Sequence, residues 1–337
     1  MKNVLVTGGA GFIGSHVAEL LVSEGWQVRV VDALTENYDP GVKLRNIAGL
    51  QGSPSFTFVN DDLTTADLDA LLDGVDAVVH LAAEPGVSKS WGEAFPAYVE
   101  RNVLATQRLL EAAARARVRP RVVYASSSSV YAPTSDPMSE TGRLGPLSPY
   151  GVSKLAGECL VGAYSQERGL ATVSLRFFSV YGPRQRPDMA IHRFTEALLD
   201  GREVTLFGDA VQLRDFTYVG DVARAVVSAV TAPVPSGTVL NVAMGSPVPV
   251  PEVLRLIEDE VRGAAAVARL PHRPGDTAST HGDSSAAATH LGWRPSTDLH
   301  LGLKHQVAWH RGLRDATPSA AGPPPPAQAS LQGGWVR

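Results

Sequence analysis

The chain contains one cysteine and no long apolar segment, and both shortages exclude classes of protein. Cys159 stands alone, so no intrachain disulfide can form, and the composition fits a reducing compartment. No apolar run reaches about 18 residues, the length that a helix needs to cross a bilayer. Glycines interrupt the apolar start of the chain at Gly8 and Gly9, which argues against a signal-peptide core. We therefore expect a soluble cytoplasmic protein with no membrane partner.

The chain also lacks a large excess of either positive or negative charge. The 337 residues carry 30 Lys and Arg against 34 Asp and Glu, a net charge of −4. Such a chain lacks the broad basic face that a nucleic-acid backbone requires, so no nucleic-acid partner is expected. A small anion held by a few placed cations remains compatible with this charge. The five lysines are Lys2, Lys43, Lys89, Lys154 and Lys304.

Short apolar strands alternate with helical periodicity in the first half of the chain. Strands are predicted at Asn3–Thr7, Gln27–Val31, Phe56–Val59, Ala77–His80, Arg121–Ala125 and Thr172–Phe177. Helices are predicted at Phe12–Glu24, Phe95–Ala116 and Tyr150–Arg168. Continuous apolar strands are typical of a parallel sheet that is covered on both faces. The alternation therefore predicts an α/β fold with a doubly wound parallel sheet.

The first strand runs into a glycine-rich turn that opens a helix, which is the context of a dinucleotide site. Early glycines allow a tight turn and close approach to a pyrophosphate, and Gly14 allows the helix to pack closely on the strand. Asp32 closes the second strand 18 residues after Gly14. A carboxylate there accepts ribose hydroxyls and repels a 2′-phosphate, which favours NAD over NADP. The predicted contacts in this turn are Gly8, Gly11, Phe12, Ile13 and Gly14.

Two further segments follow strands at the same edge of the predicted sheet. One follows the third strand, where the adenine should lie, although a plain loop with a helix cap explains it equally well. The other follows the fourth strand and would let the cofactor pass close to the backbone. The candidate contacts are Asp61, Asp62 and Leu63 in the first segment, and Leu81, Ala82 and Ala83 in the second.

The pattern changes after about Tyr181, where elements shorten and loops gain Pro, Gly and Arg. Helices are predicted at Met189–Leu199, Val219–Ala229, Val250–Val261 and Leu299–Arg311, and Thr238–Val242 is a strand that could return to the main sheet. We expect residues 1–180, with a returning strand near 237–243, to form an NAD-binding Rossmann domain. Residues 181–313 are expected to form a smaller, interleaved substrate domain, and residues 314–337 a disordered Pro/Ala-rich tail.

A tyrosine and a lysine lie four residues apart on one predicted helix. Tyr150 is the only one of the eight tyrosines with a lysine at that spacing, which places both side chains on one helix face. The fifth strand ends in four serines at the carboxyl edge of the sheet, where ligands of such folds bind. The helix is apolar almost all round, so we expect it to be buried on two sides.

These motifs together resemble the extended short-chain dehydrogenases/reductases and, within them, the nucleotide-sugar epimerases. The resemblance covers about Lys2 to Arg311. The segments that carry it are Thr7–His16 (TGGAGFIGSH), His80–Ala83 (HLAA), the Tyr150/Lys154 pair and Tyr181–Pro183 (YGP). It implies that the chain is an NAD-dependent isomerase.

The resemblance also implies roles for single residues. Tyr150 would act as general base and acid, with Lys154 and the positive nicotinamide lowering its pKa. Lys154 would also hold the nicotinamide ribose, and Ser127 would orient the sugar 4-hydroxyl. Asn102 falls where the family places an asparagine near the cofactor.

The residues after Ser127 separate the reactions of this family. The 4,6-dehydratases carry Asp-Glu there, and the UDP-glucuronate decarboxylases carry a glutamate two residues after the Ser/Thr. This chain has Ser128 and Ser129, and neither hydroxyl is an acid or base near neutral pH. Oxidation at C4 followed by return of the hydride to the other face, which is 4-epimerisation, is therefore favoured.

The segment Arg176–Met189 looks most like the UDP-glucuronate 4-epimerases. The resemblance implies that Ser179, Arg186 and the serines after Ser127, Ser128 and Ser129, hold the C6 carboxylate. Such a clamp would also protect a 4-keto uronic acid, a β-keto acid that loses CO₂ readily. A surface or nucleotide-contact role for Arg186 is the alternative.

Two later segments resemble those with which the family binds UDP. The first is 204–209 followed by 214–216, and the second is 273–276. Arg214 would meet the diphosphate, Arg273 a phosphate and Asp276 a ribose, although ordinary ion pairs would explain each of them. Thr205 and Phe207 belong to the first segment. Only the family resemblance implies that the bound nucleoside is uridine.

Histidines do not indicate a metal site. His300, His305 and His310 are five residues apart, which rotates each by about 140° on a helix and scatters them. His281 and His290 lie in a polar stretch. The helices Phe95–Ala116 and Tyr150–Arg168 resemble those of the family's dimer bundle, so a homodimer is expected.

The leading hypothesis is therefore a UDP-glucuronate 4-epimerase that gives UDP-galacturonate. A UDP-glucose or UDP-N-acetylglucosamine 4-epimerase is the second. A UDP-glucuronate decarboxylase or a nucleotide-sugar dehydratase is opposed by Ser128 and Ser129. A non-catalytic NAD-binding regulator is opposed by the intact Ser127, Tyr150 and Lys154.

Overall fold

The structure, a computed structural model, describes residues 2–208 and 212–316. Its strands are β1 (Asn3–Thr7), β2 (Gln27–Asp32), β3 (Phe56–Asn60), β4 (Ala77–His80), β5 (Arg121–Ser127), β6 (Thr172–Phe177), β7 (Ser179–Tyr181), β8 (Val204–Phe207), β9 (Leu213–Tyr218), β10 (Thr238–Val242), β11 (Pro247–Pro249) and β12 (Val267–Leu270). Its α-helices are α1 (Phe12–Ser23), α2 (Pro40–Ile47), α3 (Leu68–Leu72), α4 (Phe95–Tyr98), α5 (Ala105–Arg115), α6 (Pro149–Arg168), α7 (Ala190–Leu199), α8 (Val219–Thr231), α9 (Val250–Val261), α10 (Ser285–Leu291) and α11 (Leu299–Ala316).

Seven parallel strands form the central sheet in the order β10-β6-β5-β4-β1-β2-β3. Strands β4 and β6 are buried along their whole length, which explains their continuous apolar sequences. The winding reverses between β1 and β4, so the loops that leave these two strands run to opposite faces. A crevice opens at the carboxyl ends of strands on either side of such a reversal. The predicted doubly wound fold is confirmed.

Helices cover both faces of this sheet and build two separate cores. One core packs α1 and α8 against the sheet, through residues such as Val17, Leu21 and Val226. The other packs α3, α5 and α6 against the opposite face, with Leu109, Leu110 and Val161. Both faces are therefore shielded, as a parallel sheet requires.

The residues after β6 form smaller units beside the sheet. Strands β11, β9 and β7 make a three-stranded sheet, and β12 pairs with β8. Helices α7, α9 and α11 share a third core. Strand β10 comes after β7, α7, β8 and β9 in the chain but pairs with β6 in the central sheet. The chain therefore leaves the sheet and comes back to it.

The chain's last segment differs slightly from the prediction. Helix α11 runs to Ala316, past the predicted start of the tail at residue 314. Arg314 in its last turn is held by Glu196 and Asp200, at 2.9 and 2.7 Å, which explains the extra residues. The rest of the predicted tail, 317–337, lies outside the described residues. Among residues 2–208 and 212–316, no helix has both the length and the apolar composition needed to span a bilayer.

Helix α6 is covered on one face by the rest of the chain. Its inner face is buried, but Val152 on its outer face is 48% exposed and Cys159 is also exposed. Leu104, just before α5, is 54% exposed. The apolar residues around α6 are therefore not covered on both sides within one chain.

A buried ion pair joins α6 to the sheet. Arg176 on β6 and Glu158 on α6 lie 2.5 Å apart, with side chains only 4% and 7% exposed. Ser126 at the end of β5 donates a further 2.5 Å hydrogen bond to Glu158. Burial lowers the pKa of Arg176, but the hydrogen bonds and charge of Glu158 outweigh it, so the pKa is raised overall. Removal of one partner would leave the other charge buried and uncompensated.

We expect Glu158→Ala to lower the free energy of unfolding by about 3–5 kcal/mol because Arg176 loses its buried partner. Urea denaturation of the full chain measures this loss. Glu252→Ala, which breaks an exposed pair with Arg255, is the matched control and should leave stability unchanged. Equal stability of the two variants would contradict the assignment.

Candidate active site

A cavity of about 430 Å³ opens at the carboxyl edge of the central sheet, where the winding reverses. It brings together most of the predicted site residues from β1, β2, β4, β5, α6 and the chain after β6. The predicted residues that line it are Gly8, Gly11, Phe12, Ile13, Gly14, Asp32, Asp61, Asp62, Leu63, Leu81, Ala82, Ala83, Ser127, Tyr150, Lys154, Ser179 and Arg186.

The glycine turn between β1 and α1 has no room for side chains. Gly8 has a φ of +67°, and a Cβ there would lie 2.7 Å from the backbone nitrogen of Ala82. A Cβ on Gly14 would lie 2.3 Å from the carbonyl oxygen of Gly8. The turn therefore keeps α1 close to β1, and Phe12, Ile13 and Gly14 in the first turn of α1 line the cavity, which suits a pyrophosphate. These features fit the expected dinucleotide.

Asp32 sits at the end of β2, only 8% exposed. It accepts hydrogen bonds from the backbone N–H of Ala10 (3.2 Å) and of Leu34 (2.9 Å). The carboxylate is thus held at the edge of the cavity, where ribose hydroxyls would reach it.

A buried lysine, Lys43, lies beside Asp32, and the sequence analysis did not predict a role for it. Lys43 on α2 places its Nζ 3.9 Å from the carboxylate and donates to the backbone and side-chain oxygens of Thr35. Burial lowers the pKa of Lys43, while the charge of Asp32 raises it. The scarcity of lysine was the one sequence signal that could have found it, because no local motif surrounds it.

The segment after β3 forms a turn. Asp62 accepts hydrogen bonds from the backbone and side chain of Thr64, at 2.9 and 2.8 Å. Leu63 is buried and packs in the core under α5. The next helix is capped by Asp67 and not by this turn. Asp61, Asp62 and Leu63 also line the cavity, and their contact with the adenine stays a prediction.

Tyr150 and Lys154 lie one turn apart on α6 with Ser127 facing them from β5. Burial raises the pKa of Tyr150, and the hydrogen bond with Ser127 and the charge of Arg186 lower it. Burial also lowers the pKa of Lys154 to about 7, against the opposing charge of Glu158. Lys154 Nζ lies 4.4 Å from the ring centre of Tyr124.

The electrostatics of Tyr150 are dominated by burial in the chain alone. The pKa of Tyr150 is raised overall, because burial outweighs the hydrogen bond with Ser127 and the charge of Arg186, which lower it. The expected lowering by Lys154 together with a positive nicotinamide stays a prediction.

Asn102 does not line the cavity. It is 1% exposed, accepts a hydrogen bond from the backbone N–H of Glu84 at 2.6 Å and donates to Ser153 at 2.9 Å. It therefore holds the loop after β4 against α6. A side chain so engaged positions the wall behind the cavity and does not face into it.

The predicted carboxylate clamp is only partly assembled. Ser179 and Arg186 line the cavity, whereas Ser128 and Ser129 are not among its lining residues. The backbone N–H of Ser129 donates to Ser127. Arg186 makes two 3.0 Å hydrogen bonds with Asp188, which uses two of its five N–H donors.

The predicted diphosphate residues lie apart from that cavity. Arg214 pairs with Asp276 at 2.5 Å, and the Arg273 guanidinium stacks 3.4 Å from the ring centre of Phe207. Thr205 is on β8, paired with β12. The sequence treated Arg214 and Asp276 as separate ligand groups, and the structure shows them as partners of one another.

Comparisons with known proteins agree with this geometry. The family described as "NAD dependent epimerase/dehydratase family" matches residues 4–243. The chain is similar to the Bacillus subtilis (strain 168) protein named "Uncharacterized UDP-glucose epimerase YtcB", with 42% identity over 92% of this chain and 98% of that one.

Solved structures give the same agreement. UDP-glucuronic acid 4-epimerase from Bacillus cereus, in complex with UDP-glucuronic acid and NAD, matches with a TM-score of 0.90 and 38% identity over 92% of this chain and 99% of that one. MoeE5 in complex with UDP-glucuronic acid and NAD matches with a TM-score of 0.84 and 43% identity over 92% and 99%. MoeE5 is also known in complex with UDP-glucose and NAD.

We expect Gly14→Ala to destabilise the chain and disrupt the glycine turn, because the new Cβ would meet the carbonyl oxygen of Gly8 at 2.3 Å. Gly312→Ala is the matched control, since a Cβ there meets nothing within 4 Å on helix α11. It should stabilise the helix by about 0.5–1 kcal/mol. Thermal unfolding of both variants measures the difference, and an equal response would refute the steric argument.

Proposed function

The chain belongs to the NAD-dependent epimerase/dehydratase family, and on that premise we propose that it epimerises UDP-sugars at C4, converting UDP-glucuronate to UDP-galacturonate. One observation carries the proposal. The hydrogen-bonded Ser127 and Tyr150, with Lys154 beside them, share a single cavity with the glycine turn and with Arg186. Hydride chemistry at a sugar carbon and recognition of an acidic sugar can therefore occur in one place.

The proposed catalytic residues divide the proton chemistry between them. NAD, when bound, accepts the hydride from C4 and returns it. Tyr150 takes the proton of the sugar 4-hydroxyl during oxidation. It returns a proton to the C4 oxygen when the hydride comes back to the opposite face of C4. The Ser127 hydroxyl hydrogen-bonds the Tyr150 oxygen and, with the charge of Arg186, partly offsets the rise in the Tyr150 pKa that burial causes. Lys154, buried below them, is proposed to hold the nicotinamide ribose.

The absence of an acid after Ser127 in the sequence favours epimerisation over elimination. Ser128 and Ser129 stand where the dehydratases and decarboxylases of the resemblance carry carboxylates. A hydroxyl cannot remove the C5 proton or protonate a leaving hydroxyl near neutral pH. Rotation of the 4-keto sugar and return of the hydride need neither group.

Arg186 supports an acidic substrate. Its pKa is raised because the charge and hydrogen bonds of Asp188 outweigh burial, so the guanidinium stays charged inside the cavity. Asp188 uses its Nε and Nη2 donors, which leaves further N–H groups for a carboxylate. We propose that Arg186 and Ser179 hold the C6 carboxylate of the sugar out of alignment with the 4-keto group and so limit loss of CO₂.

UDP-glucose is the second candidate substrate. The Asp188 carboxylate beside Arg186 would repel a uronic acid and would tolerate a neutral hydroxymethyl group. The neighbour MoeE5 is known with both sugars bound.

The remaining assignments extend the proposal beyond the reacting carbon. Arg214 and Arg273 are proposed to hold the diphosphate, with Thr205, Phe207 and Asp276 as further contacts of the nucleotide. The exposed apolar side of α6 supports a homodimer built on α5 and α6. The single cysteine favours a cytoplasmic location.

Separate incubations with UDP-glucuronate, UDP-glucose and UDP-N-acetylglucosamine test the function. We expect NMR to show a mixture of UDP-glucuronate and UDP-galacturonate from the first, formed faster than any product from the others. Tyr150→Phe should slow the reaction by about 10²–10⁴-fold while the protein stays folded. Turnover of UDP-glucose alone would contradict the substrate assignment.

Arg186→Ala tests the clamp. We expect a large loss of kcat/KM on UDP-glucuronate, little loss on UDP-glucose, and more UDP-pentose by-product per turnover, because the carboxylate is no longer held. Arg202→Ala is the matched control, since Arg202 also pairs with an aspartate two residues away but lies on the exterior. An unchanged rate on UDP-glucuronate with an unchanged by-product fraction would rule out this role.

A further inference from the structure

The turn after β7 carries Arg186 into the cavity, and its backbone is held in an unfavourable conformation. Arg184, two residues earlier, has a φ of +66°, in the left-handed region that residues with a Cβ seldom adopt. Gly182 has a φ of +137°, and a Cβ there would lie 2.6 Å from the side chain of Val219. Backbone of this kind persists only where the surrounding contacts fix it. The contacts that fix the turn therefore bear on where Arg186 lies.

A buried glutamine between the two arginines supplies several of these contacts. Gln185 is 3% exposed. Its Nε2 donates to the carbonyl oxygen of Val180 at 3.1 Å, and its Oε1 accepts from the backbone N–H of His192 at 2.9 Å. The carbonyl oxygen of Gln185 accepts from Nδ1 of His192 at 2.8 Å. Gln185 thus joins β7 to the start of α7.

The contact with His192 also replaces a missing helix cap. The first N–H groups of a helix have no partner within it, and a side-chain oxygen at the N-cap commonly accepts from one of them. The N-cap of α7 is Met189, whose side chain makes no such hydrogen bond. Gln185 Oε1 accepts instead from His192, the third residue of α7. The turn that carries Arg186 and the start of α7 are therefore coupled.

A second buried glutamine reaches this turn from the last helix. Gln306 on α11 is fully buried. Its Nε2 donates to Gln185 Oε1 at 2.9 Å, and its Oε1 accepts from the backbone N–H of Gly182 at 2.8 Å. The backbone N–H of Gln185 donates to the Gly182 carbonyl oxygen at 3.2 Å. These three residues therefore form a closed ring of hydrogen bonds, although neither glutamine lines the active-site cavity.

Helix α1 holds the other side of the same turn. The carbonyl oxygen of Pro183 accepts from Nε2 of His16 at 2.9 Å, and Arg184 pairs with Glu19 at 2.6 Å. Helix α1 begins at the glycine turn that faces the expected dinucleotide. The segment that leads to Arg186 is thus fixed between the first helix of the chain and the last.

We propose that Gln185 and Gln306 are positioning residues that set the preference for an acidic sugar, because they fix the turn from which Arg186 enters the cavity. The inference rests on the proposed role of Arg186 in holding the C6 carboxylate. A guanidinium bonds both oxygens of a carboxylate only in a narrow geometry. A small movement of the turn would therefore weaken this contact more than the contacts made with the rest of the sugar nucleotide. Recognition at C6 thus depends on α11, through a residue outside the cavity.

Nearly isosteric variants of the two glutamines test the proposal in the full chain with NAD. Gln306→Met and Gln185→Met keep the length of the side chain but lose the hydrogen bonds of the ring. We expect each to lower kcat/KM on UDP-glucuronate by about 10²-fold, mainly through KM, because the guanidinium is displaced. The value of kcat/KM on UDP-glucose and the Kd for NAD should stay close to those of the parent. Calorimetric Kd values for both sugar nucleotides give the same comparison without turnover.

Thr195→Val is the matched control. It removes a buried hydroxyl of α7 that donates to the Ile191 carbonyl oxygen within the same helix. It should leave the ratio of kcat/KM values for the two sugars as in the parent. Hydrogen exchange at the Gly182 amide gives a readout that needs no substrate. It should be faster in Gln306→Met and unchanged in Thr195→Val.

Folding of the variants is measured by Tm. Gln185→Met leaves the His192 N–H and the Val180 carbonyl without their partner, whereas Gln306→Met leaves only the Gly182 N–H of the ring without one. Should Gln185→Met fail to fold, Gln306→Met decides. A general loss of packing would lower activity on both sugars alike, so the ratio between them separates a positioning role from a structural one.

The outcomes also separate this inference from the proposed function. If the parent does not turn over UDP-glucuronate, the proposed function fails, and the affinities for the two sugar nucleotides then decide the role of the glutamines. An equal loss on both sugars in folded Gln306→Met, or an unchanged ratio, would overturn the positioning role. Unchanged hydrogen exchange at Gly182 in that variant would overturn it as well.

Discussion

The reversal of winding between β1 and β4 is the constraint on which the site depends. Parallel strands send all their carboxyl ends to one edge, and the reversal separates the loops that leave them. The glycine turn after β1, the loop after β4 and Ser127 at the end of β5 therefore surround one opening. Strand β6 adds the segment that carries Arg186. No long-range contact between these side chains is needed to bring them together, because the sheet does so.

Burial controls the chemistry inside this opening. Lys154 and Glu158 lie one turn apart on α6, and each is almost fully excluded from water. Glu158 is satisfied by Arg176 and Ser126, whereas Lys154 rests against the ring of Tyr124. The ion pair thus secures α6 to the sheet, and one turn earlier on the same face lies a lysine whose pKa burial lowers to about 7. The ion-paired Glu158 and the desolvated Lys154 are therefore one helical turn apart.

The sequence predicted those parts of the structure that depend on local spacing. The glycines, Asp32 and the Tyr150/Lys154 pair each follow from neighbours in the chain, and the doubly wound parallel sheet follows from the alternation of elements. Contacts between distant segments were missed. Lys43 on α2 reaches Asp32 at the end of β2, Arg214 on β9 meets Asp276 in the loop after β12, and His192 on α7 meets His310 on α11. Residue type gives no indication of such partners until the packing is known.

Strand β10 has a consequence for the order in which the molecule can be made. It forms the edge of the central sheet beside β6, yet sixty residues, 178–237, separate the end of β6 from its start. During synthesis, the edge of β6 stays open while the segments carrying Arg186, α7 and α8 emerge. Only when Val242 has left the ribosome can the last parallel strand close the sheet. The core that supports the nucleotide cleft is therefore completed after the first residues of the sugar side have appeared, so the two halves of the site must mature together.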